Sequence, residues 1–127
     1  MQGNNLFEYA VIRVVPKVER EEFLNVGVIL YCRDLGFLQT RYSLNTEKLM
    51  SFGCEVDIPE IEENLQSFVR ICEGGQNSGP IGQLIPAERF RWLTATRSTI
   101  VQSSKVHPGF CVDPGETLER LFNQLVL

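Results

Sequence analysis

The feature that most constrains the fold is a run of strand-forming residues near the N-terminus, residues 7–15, which Pro16 ends. β-Branched and aromatic residues dominate this run, and such residues favour β-strands. From Ala10 to Val15 both faces of the strand are apolar, except at Arg13. A strand of this kind is typical of the middle of a sheet. The run therefore predicts a central strand, in which the charge of Arg13 must reach the end of the sheet or find a partner.

Two more strands are predicted directly after it, at residues 24–31 and 37–42. Gly27 lies inside the second of these strands, which indicates a bulge or a close approach by another backbone. A tight turn at residues 33–36, with Gly36 at its end, joins the second strand to the third. Because both connections are short, the three strands are predicted to form an antiparallel meander.

The rest of the chain predicts helices and one further strand. A short helix is expected at residues 43–52, ending at Gly53, and a stronger one from the cap Asp57 to Gly74. A glycine-rich loop at 74–86, a short helix at 86–93, a fourth strand at 98–102 and a terminal helix capped by Asp113 follow. These elements predict one α+β domain, residues 1–127: an antiparallel sheet of about four strands, with two or three helices packed on one face.

Composition narrows the class of protein. The chain has 127 residues and is 43% hydrophobic, enough for the core of one domain. No stretch approaches the roughly 20 apolar residues of a membrane helix, and the N-terminus lacks the pattern of a signal peptide. We therefore expect a cytoplasmic protein without a membrane partner, whose four cysteines are reduced and buried. The net charge of −4 argues against bulk electrostatic binding to nucleic acid.

Residues with obvious catalytic chemistry are scarce. His107 and Cys111 are the one nucleophile–base pair to consider, but Pro108 and Gly109 lie between them, and packing in a loop is the favoured interpretation. The cysteines lack the paired spacing of a zinc site. The glycines at 74–82 lack the Gly-Lys-Ser/Thr ending of a phosphate-binding loop. The sequence therefore predicts no catalytic residue, no metal and no cofactor.

The densest unusual stretch is residues 89–99, which carries three arginines, the single tryptophan and several hydroxyls. Guanidinium groups bind anions in bidentate fashion, and Trp92 can stack on a base or a guanidinium. The candidates for binding an anion or a partner are Arg13, Arg89, Arg91, Trp92, Arg97, Ser98 and Thr99. In the alternative interpretation, the aromatic residues pack inward and Glu8, Glu88 or the acidic residues 60–63 neutralise the arginines.

The strand sequence EFLNVGVILYC at residues 22–32, following FEYAVIRVVP at 7–16, resembles a bacterial family known as domain of unknown function 3037. Residues 79–84 (GPIGQL), 88–95 (ERFRWLTA) and 117–121 (TLERL) are similar to its middle and end. The resemblance spans nearly the whole chain. It implies, at most, a role as partner or modulator of a kinase resembling the HipA toxin kinases.

Two functions follow as expectations. The leading one is a non-enzymatic accessory or interaction protein of bacteria, a partner or modulator of a HipA-like kinase. The alternative is a small enzyme or binding protein that acts on a phosphate-bearing ligand or nucleic acid through the arginine cluster. The identity of the partner and the question of a homo-oligomer stay open at this point.

Overall fold

A computed structural model describes residues 5–17, 22–51, 56–97 and 99–127. Five strands form one antiparallel sheet: β1 Asn5–Lys17, β2 Glu22–Cys32, β3 Phe37–Tyr42, β4 Val101–Ser103 and β5 His107–Cys111. The order is β3-β2-β1-β4, and β5 pairs with β1 beside β4. With 13 residues, β1 is long enough to pair with β5 along residues 5–9 and with β4 along 12–14.

Within the described ranges, four helices accompany the sheet: α1 Thr46–Met50, α2 Ile58–Glu73, α3 Pro86–Leu93 and α4 Pro114–Leu125. The predicted caps are present. The carboxylate of Asp57 accepts from the Glu60 amide at 3.1 Å, and that of Asp113 accepts from the amides of Gly115 and Glu116. These bonds satisfy amides that have no partner inside the first turn of a helix.

Gly27 lies where the sequence predicts a bulge or a close approach, and the structure shows both. Ile12 pairs with Gly27 while Arg13 pairs with Asn25, so Val26 is the extra residue. A Cβ atom on Gly27 would lie 2.8 Å from the Arg41 carbonyl oxygen of β3, closer than real Cβ contacts. Glycine therefore lets β3 pack against the bulged strand.

Apolar side chains are buried on both faces of the sheet. One face packs against α1, α2 and α3, and the other packs against α4. The α4 face contains Phe7, Val28, Leu30, Cys32, Cys111, Leu118, Leu121 and Phe122. Ten apolar residues that recur at strand or helix spacing are all buried: Val11, Ile12, Val14, Val28, Ile29, Leu30, Leu65, Phe68, Leu118 and Leu121.

The α+β class, the antiparallel sheet and the N-terminal meander are confirmed. The structure differs in the placement of α4, because β1 and β2 are apolar on both faces and one layer of helices would leave one face exposed. It also adds β5 at residues predicted to form a loop, and its fourth strand begins at Val101. Gly53, the expected end of the first helix, lies outside the described residues. Among the described helices, none is long and apolar enough to span a membrane.

Replacing Leu121 by alanine tests the docking of α4. The side chain is 7% exposed, and its loss should lower the free energy of unfolding by about 2–5 kcal/mol, as for other buried leucines. Urea unfolding followed by circular dichroism measures the change. Leu127→Ala, at an exposed leucine, is the control and should shift stability by less than about 0.5 kcal/mol. Equal stability of the two variants would show that α4 does not dock on the sheet.

Candidate functional site

The four candidate arginines do not share one site. Arg13 lies on β1, Arg89 and Arg91 lie on α3, and Arg97 follows that helix. Arg89 and Arg91 are two residues apart, or about 200° around a helix, and so point in different directions. Within the described part of the chain, no ion pair joins any of the four to a carboxylate. The Glu63 carboxylate instead pairs with Arg70 at 2.7 Å.

Arg89 has a structural role. Its Nη1 donates to the carbonyl oxygens of Ile71 and Cys72 at 2.7 and 2.8 Å, and its Nε donates to the Leu84 carbonyl oxygen at 2.9 Å. The first two carbonyls belong to the last turn of α2, where helix carbonyls lack partners. The guanidinium thus joins the end of α2 to the loop that enters α3, and most of its donors are already used.

A groove lies between α2 and the segment that follows α3. We call it the Trp92 groove, with the polar lining residues Asn64, Ser67, Trp92, Arg97 and Thr99. It encloses about 310 Å³ above an apolar floor of Phe68, Ile71, Leu93 and Val101. Three residues that the sequence singled out, Trp92, Arg97 and Thr99, therefore meet at one site. Ser98, their neighbour in the sequence, lies outside the described residues.

Arg97 and Trp92 hold each other in place. The guanidinium carbon lies 4.1 Å from the centre of the indole ring, and Nη2 donates to the Trp92 carbonyl oxygen. Stacking of this kind is a cation–π interaction. Among the described residues that line the groove, none is acidic. The groove therefore offers a positive charge, hydroxyl and amide groups, and an apolar floor, which together suit an anionic ligand with an apolar part.

The outer side of α3 carries two exposed apolar side chains, with the exposed Glu88 between them. Ile85, at the N-cap, is 61% exposed and Trp92 is 42% exposed. The two residues are seven positions apart, or about two helical turns, and so lie on the same side of the helix. Sequence reasoning missed Ile85, because an apolar residue just before a helix is usually a core contact. The sequence feature that could have indicated its exposure is its position directly before Pro86, outside the apolar stripe of the helix.

Arg13 finds an aromatic ring where the sequence predicted that it needed a partner. Its guanidinium carbon lies 4.3 Å from the centre of the Phe23 ring. Arg13 Nε and the Oδ1 atom of its cross-strand neighbour Asn25 are buried, and no hydrogen bond to either is present among the described residues. Arg13 is separate from the Trp92 groove and lies on the α4 face of the sheet.

His107 and Cys111 are four residues apart on β5, which corresponds to about 13 Å along a strand. The His107 ring packs on Tyr9 at 5.3 Å between centres, and the Cys111 thiol is buried beside Cys32. Burial raises the pKa of the Cys111 thiol above its ordinary value. It also raises the pKa of the Cys72 thiol to about 11, so this thiol stays protonated at neutral pH.

Three of the four cysteines, at positions 32, 72 and 111, are free thiols buried in the structure, as the sequence predicted. Cys54 lies outside the described residues. In the part of the chain that the structure describes, no group of three or more histidine, cysteine or acidic side chains is arranged to hold a metal ion.

A second cavity, of about 520 Å³, lies beside the N-terminal end of β1. Two arginines, Arg33 and Arg91, and two acids, Glu8 and Asp34, line it together with the exposed side chain of Leu6. None of these four charged side chains forms an ion pair with another described residue. This cavity is separated from the Trp92 groove, and it places Arg91 with Arg33 and not with Arg97.

These features define a small α+β protein with a five-stranded antiparallel sheet, helices on both faces and, among its surface cavities, the Trp92 groove and the cavity beside β1. The chain belongs to the family described as protein of unknown function DUF3037, whose model matches residues 9–126. Comparison with curated proteins and with solved structures found no match.

The role of Arg89 predicts a loss of stability on substitution. Arg89→Met removes the donors for the carbonyls of Ile71 and Cys72, and we expect the free energy of unfolding to fall by about 1–3 kcal/mol. Urea unfolding measures this change. Arg91→Met is the matched control, since Arg91 lies on the same helix but is exposed, and its effect should stay within about 0.5 kcal/mol. A similar small effect for both variants would contradict the structural role of Arg89.

Proposed function

We propose that the protein is a non-enzymatic interaction protein of the bacterial cytoplasm, which binds a protein partner through the outer side of α3. The observation that carries the proposal is the exposure of Ile85 and Trp92 on the same side of one short helix. Large apolar side chains exposed together favour a protein-binding surface, and tryptophan and arginine are the residue types that most often dominate binding energy at interfaces.

The contact between Trp92 and Arg97 supports this role. A side chain that becomes ordered on binding loses conformational entropy, which weakens the complex. The Arg97 guanidinium stacked on the indole ring and the bond from Nη2 to the Trp92 carbonyl oxygen limit the motion of both side chains before a partner arrives. Trp92 is therefore suited to be the anchor of the interface, with Ile85 as a second contact two turns away.

The first partner to test is a HipA-like kinase from the same host, the partner class that the family resemblance implies. Purified kinase is titrated with the full chain in isothermal titration calorimetry. Ile85→Glu replaces an exposed apolar contact with a charge and should weaken binding by about tenfold or more. Leu127→Glu, at an exposed leucine away from α3, is the control and should bind like the wild type.

Two outcomes would contradict parts of this proposal. No binding by the wild-type chain would remove the kinase as its partner. Binding by Ile85→Glu at wild-type strength would show that the partner does not use α3. Because Ile85 is exposed, the substitution is expected to leave the fold intact, and circular dichroism checks this.

A second candidate function is favoured by the composition of the Trp92 groove. Arg97 and the hydroxyl and amide groups around it are the groups that bind phosphate, and Trp92 offers a ring on which a base can stack. The protein would then bind a phosphate-bearing ligand or a nucleic acid, or act on such a substrate. The net charge of −4 makes a small ligand the better candidate than a long nucleic acid.

Trp92 is the only tryptophan, so its fluorescence reports directly on the groove. If this second function is correct, titration with inorganic polyphosphate or a short oligonucleotide should change the emission, and the affinity should fall as salt is added. Arg97→Met should weaken binding by about tenfold, the effect of losing a charge-assisted contact of roughly 1.4 kcal/mol. Arg91→Met, in the other cavity, should bind like the wild type. Salt-independent emission in all three proteins would exclude the groove as an anion site.

A further inference from the structure

The outer edge of β5 is a free edge of the sheet. Among the described strands, β5 pairs with β1 alone. Phe110 on this edge is 67% exposed, and Leu6, directly opposite it on β1, is 50% exposed. An exposed edge strand with apolar side chains is a template for pairing with another strand. Leu6 shares a cavity with Ile85, but the free backbone groups of β5 are not part of the α3 surface and need an explanation of their own.

Hydrogen bonds in the sheet show which backbone groups of β5 face outward. The Val11 amide donates to Ser104 Oγ and its carbonyl oxygen accepts from the Ser104 amide, both at 2.8 Å, so the backbone groups of Val11 face the β4 and β5 side of β1. Backbone groups alternate in direction along a strand. Phe7 and Tyr9 therefore also face β5, where Phe7 pairs with Gly109.

It follows that Pro108 and Phe110, the alternate residues of β5, direct their backbone groups away from β1. Proline has no amide hydrogen and is tolerated in a sheet where its nitrogen faces away from the neighbouring strand, as it does here. The free edge thus presents the carbonyl oxygen of Pro108 and both the amide and the carbonyl oxygen of Phe110.

We propose that this edge joins two copies of the chain in a symmetric dimer, in which β5 pairs antiparallel with β5 across a two-fold axis at Phe110. Each Phe110 amide then donates to the Phe110 carbonyl oxygen of the other copy, which is the self-complementary contact that a two-fold axis requires. The two Phe110 side chains become cross-strand neighbours between the two Leu6 side chains. The result is a continuous apolar row across four strands.

Pro108 favours this register over its neighbours. A shift of the axis to Gly109 would place Phe110 opposite Pro108 of the other copy, and one of the two hydrogen bonds of each such pair would lack its donor. With the axis at Phe110, the central pair has both of its donors. The amide hydrogen that Pro108 lacks then belongs to the outer end of the β5–β5 pairing, where the loss of one hydrogen bond destabilises the pairing least.

The charges beside the edge suit a second copy of the same chain. The cavity next to Leu6 carries Arg33, Arg91, Glu8 and Asp34, and the cavity that Phe110 lines carries Asp113, Glu116 and Arg120, so both signs of charge are present beside the edge. A second copy brings the same mixed set, and a two-fold axis lets basic groups of one copy face acidic groups of the other. A strongly acidic or strongly basic partner would meet charges of its own sign here.

The mass of the full chain in solution tests the proposal. In size-exclusion chromatography with light scattering at submillimolar concentration, the wild type should give twice the chain mass of 14.5 kDa. Phe110→Glu, which places two like charges on the axis, should give the monomer mass. Leu127→Glu, at an exposed leucine that lines neither cavity beside the edge, is the matched control and should stay dimeric. A monomeric wild type, or a dimeric Phe110→Glu variant, would overturn the proposal.

Hydrogen exchange tests the pairing itself. The Phe110 amide has no partner on β1, so it should exchange quickly in the monomer and slowly in the dimer, with protection that rises with protein concentration. The Gly109 amide bonds to Phe7 in either state and serves as the internal control. Rapid exchange at Phe110 in a sample of dimer mass would show that the copies associate through another surface. Since the mass reports the dimer and calorimetry reports partner binding, loss of the dimer and loss of partner binding are distinguishable.

Discussion

The structure depends on the burial of β1 on both faces and its pairing along both edges. Ala10, Ile12 and Val14 of this strand pack on the α1–α3 side, and Phe7 and Tyr9 pack on the α4 side. One edge of β1 is filled by β2, and the other edge is shared by β4 and β5. Removing apolar surface from water is the main favourable term in folding, and β1 connects the two layers in which this happens. The two apolar faces of the sheet therefore determine where the helices pack.

The candidate surfaces follow from this arrangement. The hydrogen bonds from Arg89 fix the start of α3 against the end of α2. The inner side of α3, at Phe90 and Leu93, is buried on the sheet, so its outer side is exposed. The Trp92 groove forms where α3 ends and the chain returns past α2 to β4. Both surfaces are therefore built on packed helices and strands, which hold binding residues more rigidly than free loops do.

The sequence predicted those structural elements that depend on residues near them in the chain. Asp57 and Asp113 precede prolines and acidic residues at helical spacing, and both cap helices. Gly27 indicated the bulge. In contrast, the sequence around Pro108 reads as a turn, and it forms a strand because β1, about 100 residues earlier, supplies the pairing partner. No local pattern contains that information.

The same distinction applies to the sites. Arg89, Arg91 and Arg97 are close in sequence, and sequence reasoning grouped them as one cluster. Which carbonyl, ring or cavity each guanidinium reaches depends on where α2, β4 and the sheet lie. For Trp92, Arg97 and Thr99 the grouping was useful, because a short helix followed by a turn keeps these residues together.

The pairing of the first strand with the last has a consequence for the rate of folding. The Asn5 side chain bonds to the Cys111 carbonyl oxygen, a separation of 106 residues, and the amide of Val11 bonds to Ser104 across 93 residues. The chain loses conformational entropy in closing such long loops before the stabilising contacts can form. Chains rich in distant contacts therefore fold more slowly than helical bundles of equal size. On a ribosome, one edge of β1 and the face that α4 covers would stay open until residues 101–125 have emerged, and a chaperone could bind them during that time.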